Sequence, residues 1–290
     1  MTDTRARSLI AGCGKIGVRL GQALADAGHQ VWGLRRRAEA LPPPLIHLQA
    51  DLQQPERLAE LLPAGLDCVF YLATPSQYDD AGYREAYVSG LENLLAALDA
   101  QGQRPRRVVF VSSTAVYGQA DGSWVDEDSP TEPRGFNGRR VLEAEHALLG
   151  SRHPGTVVRF GGIYGPGRER MLRKAEAGDP CHADPPQYTN RIHEDDCVTV
   201  LAHVAGLQAA DARYLAVDDH PCTECEVMDW LAGQLGRPHP ERVPAPPDGG
   251  RAGNKRCSNA RLKASGYRFI YPSFREGYEA MLAGRSRTED

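Results

Sequence analysis

The chain has 290 residues and a mass of 31.7 kDa, enough for one large domain or two small ones. Hydrophobic residues make up 41% of the sequence and charged residues 25%, the balance of an ordinary soluble globular protein. The formal net charge of −4 gives no reason to expect nucleic acid or an anionic membrane as a partner, and no apolar run approaches the ~18–20 residues of a membrane helix.

The chain starts with a polar segment, Met1–Arg7, that leads directly into an apolar run and lacks the features of a signal peptide, so we expect a cytoplasmic protein. Beyond it, the first half alternates short apolar runs with amphipathic stretches. The predicted strands are Ser8–Ala11, Val31–Leu34, Leu45–Leu48, Cys68–Ala73, Val108–Val111 and Thr156–Arg159. The predicted helices are Gly14–Gly28, Arg57–Leu62, Tyr83–Ala100 and Arg140–Leu149. This alternation favours an α/β fold of the Rossmann type, a doubly wound parallel sheet with helices on both faces.

The second half is richer in proline and glycine turns and contains less regular periodicity. The helices predicted there are Val227–Leu235, Asn259–Ala264 and Ser273–Leu282. We expect residues 1–165 to form a nucleotide-binding domain to which residues 189–218 return. We expect residues 166–188 and 219–290 to form a smaller C-terminal substrate lobe.

A glycine-rich loop joins the first predicted strand to the first predicted helix. Gly12, Gly14 and Gly17 have the spacing G-x-G-x-x-G. The first glycine permits a tight turn, the second a close approach to a diphosphate, and the third close packing of helix on strand. Lys15 and Ile16 begin the helix, whose N-terminal amides attract phosphate. The motif and its strand–helix context predict a dinucleotide site.

The residues after the second strand indicate which dinucleotide binds. NAD sites place a carboxylate ~20 residues beyond the glycines, where it bonds the ribose 2′-hydroxyl. Here the chain has Arg35, Arg36 and Arg37. Guanidinium groups suit a 2′-phosphate, so we predict NADP rather than NAD, with Arg35 or Arg36 as the contact. Asp51 and Leu52, after the third strand, are expected to meet the adenine.

Seven cysteines are scattered along the chain, an odd number that argues against a disulfide framework and favours small buried side chains. Cys222 and Cys225 have C-x-x-C spacing after His220. Thr223 and Glu226 have capping-box spacing, which predicts a helix start with Cys225 in its first turn. No second C-x-x-C pair supplies four ligands, so we predict no metal site.

Several short motifs occur in a specific order along nearly the whole chain. They are the glycine loop, Asp51-Leu52, Ala73-Thr74-Pro75, Gly90-x-x-Asn93-Leu94-Leu95, Val111–Gly118, Arg159 with Ile163–Gly167, and Arg191–Asp196. In this order they resemble the extended short-chain dehydrogenase/reductase superfamily, in its epimerase/dehydratase branch. The G-x-G-x-x-G loop, with Ala11 before it, is most similar to an atypical subgroup. The resemblance implies an NAD(P)-binding Rossmann fold, and it adds Ala73 and Thr74 to the cofactor residues.

The chemistry of that family uses a Tyr-x-x-x-Lys pair, a serine or threonine and an asparagine. The resemblance places the serine at Ser113, the tyrosine at Phe136, the lysine at Arg140 and the asparagine at Tyr87. A phenyl ring cannot exchange a proton, so the usual mechanism cannot operate unchanged. We predict a catalytic set of Ser113, Tyr87 and Arg140, with Arg140 bonding the ribose or another negative group. A structural aromatic is the alternative for Tyr87.

Two other segments are expected to be structural. The acidic loop Asp121–Glu132, which contains Asp126-Glu127-Asp128, is expected to face solvent at the rim of the active site. His193 is expected to orient a turn rather than to titrate in catalysis.

Three functions fit these residues. The first is an NADP-dependent oxidoreductase or epimerase-like enzyme acting on a small polar metabolite. The second is a dehydratase or isomerase on the same scaffold. The third is an inactive NADP(H)-binding sensor, which the changed catalytic positions favour. The resemblance also implies a possible homodimer through Tyr83–Ala100 and Arg140–Leu149.

Overall fold

The computed structural model describes residues 5–245 and 253–286. Contacts between residues divide the chain into two compact units. Unit 1 comprises Met1–Val116, Pro133–Arg159 and Val198–Tyr214, and unit 2 comprises Tyr117–Glu132, Phe160–Cys197 and Leu215–Asp290. The domain limits expected from the sequence stay a prediction. Within the described residues, no helix combines the length and the apolar character needed to cross a membrane.

The helices and strands follow one another along the whole described chain. The strands are β1 Arg7–Ala11, β2 Gln30–Arg35, β3 Ile46–Gln49, β4 Cys68–Tyr71, β5 Arg107–Ser113, β6 Trp124–Val125, β7 Gly155–Phe160, β8 Gly162–Tyr164, β9 Cys181–Asp184, β10 Tyr188–Thr189, β11 Arg191–His193, β12 Arg213–Ala216, β13 Cys222–Thr223, β14 Arg242–Pro244 and β15 Arg256–Cys257. The helices are α1 Lys15–Asp26, α2 Pro55–Leu61, α3 Asp80–Tyr83, α4 Gly90–Ala100, α5 Phe136–Leu149, α6 Arg170–Ala177, α7 Glu194–Gly206, α8 Glu224–Gln234, α9 Ala260–Ala264 and α10 Phe274–Ser286.

A seven-stranded parallel sheet forms the centre of the fold, as the alternating pattern predicts. Its strand order is β12-β7-β5-β4-β1-β2-β3. Strand β1 lies between β4 and β2, with Ser8 opposite both Cys68 and Val31. The strand order therefore reverses at β1, and ligands of open α/β sheets bind outside the carboxyl ends of the strands at such a point.

The long helix predicted over Tyr83–Ala100 is interrupted. It starts three residues earlier, at Asp80, and a π-helical segment, Arg84–Ser89, separates α3 from α4. The wider π turn leaves main-chain carbonyls without their usual partners. The Glu85 carbonyl accepts from Gln53 Nε2 at 2.9 Å, and the Ala86 carbonyl accepts from the Tyr71 hydroxyl at 2.5 Å. Long-range bonds thus stabilise a break that apolar periodicity does not reveal.

Unit 2 contains short two-stranded pairs that the sequence analysis did not predict. They are β10 with β13, β11 with β8, β14 with β9 and β15 with β6. The segment around His193 was expected to be a turn, and this expectation is wrong. His193 ends strand β11, and Glu194 begins the 13-residue helix α7. Three acidic residues in the first turn of α7 complement the positive end of its dipole.

One expectation about the cysteines needs correction. Cys181 and Cys225 form a disulfide bond between β9 and α8, and the five other cysteines are buried thiols. The predicted cap is present, because the Thr223 side chain accepts from Glu226 N at 3.1 Å. Cys225 therefore lies in the first turn of α8, as expected, but it is not a free thiol.

Candidate functional site

A cavity of about 330 Å³ lies in unit 1, at the carboxyl ends of β1, β2 and β4. It is lined by Gly12, Cys13, Gly14, Leu34, Arg35, Arg36, Arg37, Ala50, Asp51, Leu52, Gln53, Ala73, Thr74, Ser76, Gly82, Glu85 and Ala86. Eight of the residues predicted to bind the cofactor are among them: Gly12, Gly14, Arg35, Arg36, Asp51, Leu52, Ala73 and Thr74. The other three, Lys15, Ile16 and Gly17, form the first turn of α1 directly after the loop.

The glycine loop turns sharply where β1 ends. Gly12 has a φ of +83°, a left-handed conformation that favours glycine, and a Cβ there would lie 2.3 Å from Ala73 N. Gly12 N and Cys13 N both donate to the Leu34 carbonyl at 3.0 Å. These bonds fix the loop against β2, so the loop is rigid before any ligand binds. At Gly14 a Cβ would meet nothing within 4 Å, which leaves the space above the loop open.

Helix α1 directs its N-terminus at this open space. Its first intrahelical bond runs from Val18 N to Gly14 O at 2.8 Å, so the amides of Ile16 and Gly17 precede the hydrogen-bonded ladder. No side chain caps this end, and no acidic residue stands in the first turn. The local field and the donors therefore favour a phosphate. The geometry fits the diphosphate of a dinucleotide.

The three arginines after β2 have different surroundings. Arg35 donates through Nη2 to the Glu39 carbonyl at 2.5 Å and to the Ala40 carbonyl at 3.3 Å. This arginine stabilises its own loop. Arg36 and Arg37 are exposed and line the cavity, and neither has a carboxylate within ion-pair distance among the described residues. Their charges are therefore available to a ligand.

The opposite wall of the cavity is held by helix α4. Asn93 donates through Nδ2 to the Leu52 carbonyl at 2.8 Å, and Asp51 Oδ1 accepts from Gln53 N at 3.0 Å. Gln53 also bonds the π segment, as described above. The turn that was expected to meet adenine is thus fixed from two sides. Sequence reasoning missed Gln53, which lines the cavity directly after Asp51 and Leu52.

Ser113 ends strand β5 and is half-buried. Its Oγ accepts from Ala115 N at 3.1 Å, which uses one acceptor and leaves the hydroxyl proton to donate. Within residues 5–245 and 253–286, no hydrogen bond joins Ser113 to Tyr87 or Arg140. The predicted catalytic set is therefore not a hydrogen-bonded triad.

Phe136, which the resemblance aligns with the family tyrosine, lies in an aromatic cluster. The ring of Phe136 lies 5.3 Å from that of Tyr78 and 5.4 Å from that of Tyr83, both edge to face. Tyr83 in turn lies 5.5 Å from Tyr87, whose ring meets Phe110 at 6.2 Å. Sequence reasoning singled out Tyr87 and missed Tyr78 and Tyr83. Tyr83 and Tyr87 are four residues apart, a spacing that places side chains on one helix face, but this spacing does not indicate that Phe136 and Tyr78 pack there.

Tyr87 is poorly suited to act as a base. Burial, with the neighbouring Tyr83 as a second cause, raises the pKa of Tyr87 to about 12. A phenol with this pKa stays protonated at neutral pH. Tyr87 can donate a hydrogen bond, but it does not provide the phenolate of the family mechanism.

Arg140 binds two negative groups of the protein itself. Its Nε and Nη2 bind the two oxygens of Asp80 at 2.9 and 2.7 Å, and its Nη1 binds Glu143 at 2.7 Å. These hydrogen bonds, that to Asp80 first, raise the pKa of Arg140 above its ordinary value. The bond to Asp80 joins α3 to α5, and a bond from Arg140 to the ribose stays a prediction.

In unit 2, the acidic loop is not wholly solvent-facing, which corrects a further expectation. Glu127 is buried, accepts from Leu215 N at 2.7 Å, and lies 3.7 Å from Arg261 Nε. His193 is also buried: its ring lies 4.2 Å from that of Tyr271, and its Nδ1 accepts from Asp195 N at 3.2 Å. These side chains serve packing and main-chain bonding within unit 2.

Unit 2 also brings together three side chains of metal-ligating type. Ligand atoms of His220, Cys222 and Glu226 lie within 4.8 Å of one another. Two cations already contact them: Arg191 donates to Cys222 Sγ at 3.0 Å, and Arg275 donates to Glu226 at 3.0 Å. Guanidinium groups in these places disfavour a metal ion.

Known proteins share both the sequence pattern and the fold. Residues 8–218 match the sequence profile of the NAD-dependent epimerase/dehydratase family. A protein from Methylobacillus flagellatus assigned to that family has a solved structure with 38% identity and a TM-score of 0.79, covering 98% of this chain and 100% of that one. The protein MoeE5, solved with UDP-glucose and NAD, has 25% identity and a TM-score of 0.78 over 98% of this chain and 100% of its own. A 3-diazoavenalumate denitrifying reductase from a Streptomyces species is 28% identical over 260 residues, 82% of this chain and 84% of the relative.

Proposed function

This chain belongs to the NAD-dependent epimerase/dehydratase family, and from that membership we propose that it is an NADP(H)-dependent oxidoreductase acting on a small polar metabolite. Its relatives are NAD(P)-dependent epimerases, dehydratases and reductases, which supports an enzyme of oxidoreductase or epimerase type. The choice of NADP, the hydride-transfer reaction and the substrate class are the proposal. We also assign substrate selection to the C-terminal half.

Arg36 carries the proposal for NADP. It is exposed, it lines the cavity at the end of β2, and it has no carboxylate partner among the described residues. A guanidinium can bond a phosphate through two parallel N–H groups. A carboxylate here would favour a ribose hydroxyl instead, and the chain has none before Glu39. Arg35 holds the loop and Arg36 would hold the 2′-phosphate.

The chemistry would divide between a bound cofactor and the residues around it. When bound, a nicotinamide cofactor supplies or accepts the hydride. Ser113 Oγ–H would donate to the substrate oxygen, since the bond from Ala115 N uses only an acceptor site of the hydroxyl and not its proton. Phe136 provides no proton and Tyr87 stays protonated, so the proton would come from water. Loss of a positioned acid typically costs ~10²–10⁴-fold in rate, which slows hydride transfer without abolishing it.

The test compares nucleotide binding by the wild type and R36Q. Fluorescence titration with NADPH and with NADH gives both dissociation constants. We expect R36Q to weaken NADPH binding about tenfold or more, because a charge-assisted bidentate contact is lost, and to leave NADH binding nearly unchanged. R57Q is the matched control, since Arg57 is an exposed arginine of α2 outside the cavity lining.

Equal weakening of both nucleotides by R36Q would overturn the NADP assignment. Absorbance of bound NADPH, followed during a screen of carbonyl metabolites, tests the reaction. Oxidation by any of them supports an oxidoreductase. Tight NADPH binding without any oxidation would instead favour a cofactor-binding sensor. The lack of activity would then follow from Phe136, which cannot exchange a proton, and from Arg140, which is paired with carboxylates.

A further inference from the structure

Arg256 lies between two aromatic rings in unit 2. Its guanidinium carbon is 5.2 Å from the centre of the Trp124 ring and 4.8 Å from that of Tyr188. Its Nε donates to the Gly122 carbonyl at 2.8 Å. Two ring faces and one hydrogen bond fix the plane of the guanidinium. Trp124 is 56% exposed, so this stack lies at the surface of unit 2.

The main chain around Arg256 is equally well fixed. Arg256 N donates to the Ser123 carbonyl at 2.8 Å in the β6–β15 pair. The preceding buried Asn254 accepts from Tyr188 N at 2.8 Å through Oδ1, and its carbonyl accepts from Gly122 N at 2.9 Å. Gly122 has a φ of +78°, and a Cβ there would lie 3.2 Å from the Tyr188 ring. Only glycine lets this turn pass over the ring and present its carbonyl to the arginine.

The two terminal nitrogens of Arg256 have no protein acceptor in the part of the chain that the structure describes. Two other arginines of unit 2 differ in this respect. Arg261 is paired with Asp128 at 2.6 Å, and Arg275, which also stacks on a ring, is paired with Glu226 at 3.0 Å. The Arg256 guanidinium is therefore held in one orientation, but no carboxylate of the described residues neutralises its charge.

We propose that Arg256, clamped by Trp124 and Tyr188, is a binding site for the oxyanion group of a small molecule, either a carboxylate or a phosphate. The planar fork of a guanidinium matches two oxygens of either group. Little side-chain entropy remains to be lost on binding, because the rings and the Gly122 carbonyl already hold the fork. Tyr188 and Trp124 also offer ring surface to the apolar part of such a ligand.

The oxyanion site at Arg256 is separate from the proposed function and does not depend on it. Every residue that lines the cofactor cavity belongs to unit 1, whereas Arg256, Trp124, Tyr188 and Gly122 all belong to unit 2. A protein that failed to prefer NADPH could still bind an anion at Arg256. A protein that bound NADPH could likewise lack this second site.

The experiment titrates the full-length protein with sodium phosphate and, separately, with sodium acetate, at constant ionic strength kept by sodium chloride. Tryptophan emission is the readout, because Trp124 contacts the guanidinium and is one of three tryptophans in the chain. We expect a saturable change with at least one probe in the wild type. The probe that saturates at the lower concentration identifies the preferred oxyanion.

Three variants test whether the change in tryptophan emission arises from binding at Arg256. R256Q should abolish the saturable response, and R256K, which keeps the charge but not the fork, should weaken binding about tenfold. R275Q is the matched control, since it removes another ring-stacked arginine whose charge is already paired, and it should bind like the wild type. R256K also keeps the test decisive if R256Q fails to fold. No saturable response to either probe, or equal binding by R256K and the wild type, would overturn the proposal.

Discussion

Asp218 is a carboxylate buried without full hydrogen bonding in unit 2. Its side chain is only 2% exposed, Oδ1 accepts from His220 N at 3.1 Å, and Oδ2 has no hydrogen-bond partner among the described residues. Burial raises its pKa to about 7, and the nearby Arg191 opposes part of that rise. Burial therefore favours the protonated, neutral form of the Asp218 side chain in the folded state.

The pH dependence of stability follows from the direction of that shift. An unfolded aspartic acid titrates near pH ~3.9, so between that pH and about 7 the folded state binds one more proton at Asp218 than the unfolded state. The contribution of Asp218 to the free energy of unfolding is therefore fully present below pH ~3.9 and is lost as the pH rises to about 7. The side-chain amide introduced by D218N cannot titrate, so this variant should gain in free energy of unfolding relative to the wild type between pH 5 and pH 8.

Urea denaturation at both pH values measures the difference, with D219N as the control. Asp219 is the exposed neighbour and pairs with Lys263 at 2.9 Å. A difference between D218N and the wild type that stays constant with pH, or falls, would contradict the assignment.

At this scale the sequence predicts residue types better than their contacts. The run Arg35–Arg37 predicts a basic turn beside the cofactor, but the carbonyls that engage Arg35 belong to residues Glu39 and Ala40 of a loop without periodicity. Similarly, Arg140 is predicted to bind a negative group, but no local pattern indicates that Asp80, 60 residues earlier in the chain, is one. Ion pairs between distant residues require the fold to be known first.

Helix α5 shows how one element places two glutamates in opposite environments. Glu143 lies at the surface, 2.9 Å from Arg84. Glu145, two residues further along, is fully buried, receives Arg159 Nε at 2.9 Å and Nη2 at 2.6 Å, and accepts from Ser112 Oγ at 2.5 Å. Two residues correspond to slightly more than half a helical turn, so the two side chains face away from each other. Glu145 links α5 to both β5 and β7.

Replacing each glutamate by glutamine should therefore have very different effects. E145Q leaves the buried Arg159 without its counter-charge, and breaking such a pair typically costs about 3–5 kcal/mol. E143Q removes the counter-charge of two partly exposed pairs, with Arg84 and with Arg140, and exposed pairs contribute less than about 1 kcal/mol each. Denaturant unfolding followed by circular dichroism measures both. Similar losses of stability in the two variants would show that the buried pair does not stabilise α5 as described.

The elements that apolar periodicity predicts are those long enough to show it. Six of the seven parallel strands and the helices α1, α2 and α5 match their predictions within a few residues, whereas strand β12 was not predicted. The two-residue strands of unit 2 are too short for any period. Helix α7 was missed because its first turn, Glu194-Asp195-Asp196, was interpreted as a polar turn. Acidic residues favour the first turn of a helix, and that signal could have identified its start.

At the scale of the whole molecule, the fold class follows from the order of elements and motifs, which are local features of the sequence. The cysteines behave differently, because a disulfide depends on which distant segments meet. Cys181 and Cys225 are 44 residues apart, and their pairing joins β9 to the start of α8 within the core of unit 2. An odd number of cysteines is compatible with one bond and five thiols.

Alkylation of the denatured protein tests this arrangement. Seven cysteines with one disulfide should give five adducts with a maleimide before reduction and seven after it, counted by mass spectrometry.

The disulfide should also stabilise the protein. Closing a loop of this length restricts the unfolded chain, and the chain-entropy relation gives a stabilisation of about 4 kcal/mol, so reduction should lower the midpoint of unfolding. C181S should lower it equally and become insensitive to reductant, because it lacks the same bond. C68S, which removes a buried thiol of β4, is the control and should keep the response to reductant. Seven adducts without any reductant would mean that the chain holds all its cysteines as thiols, and unit 2 would then rest on its apolar core alone.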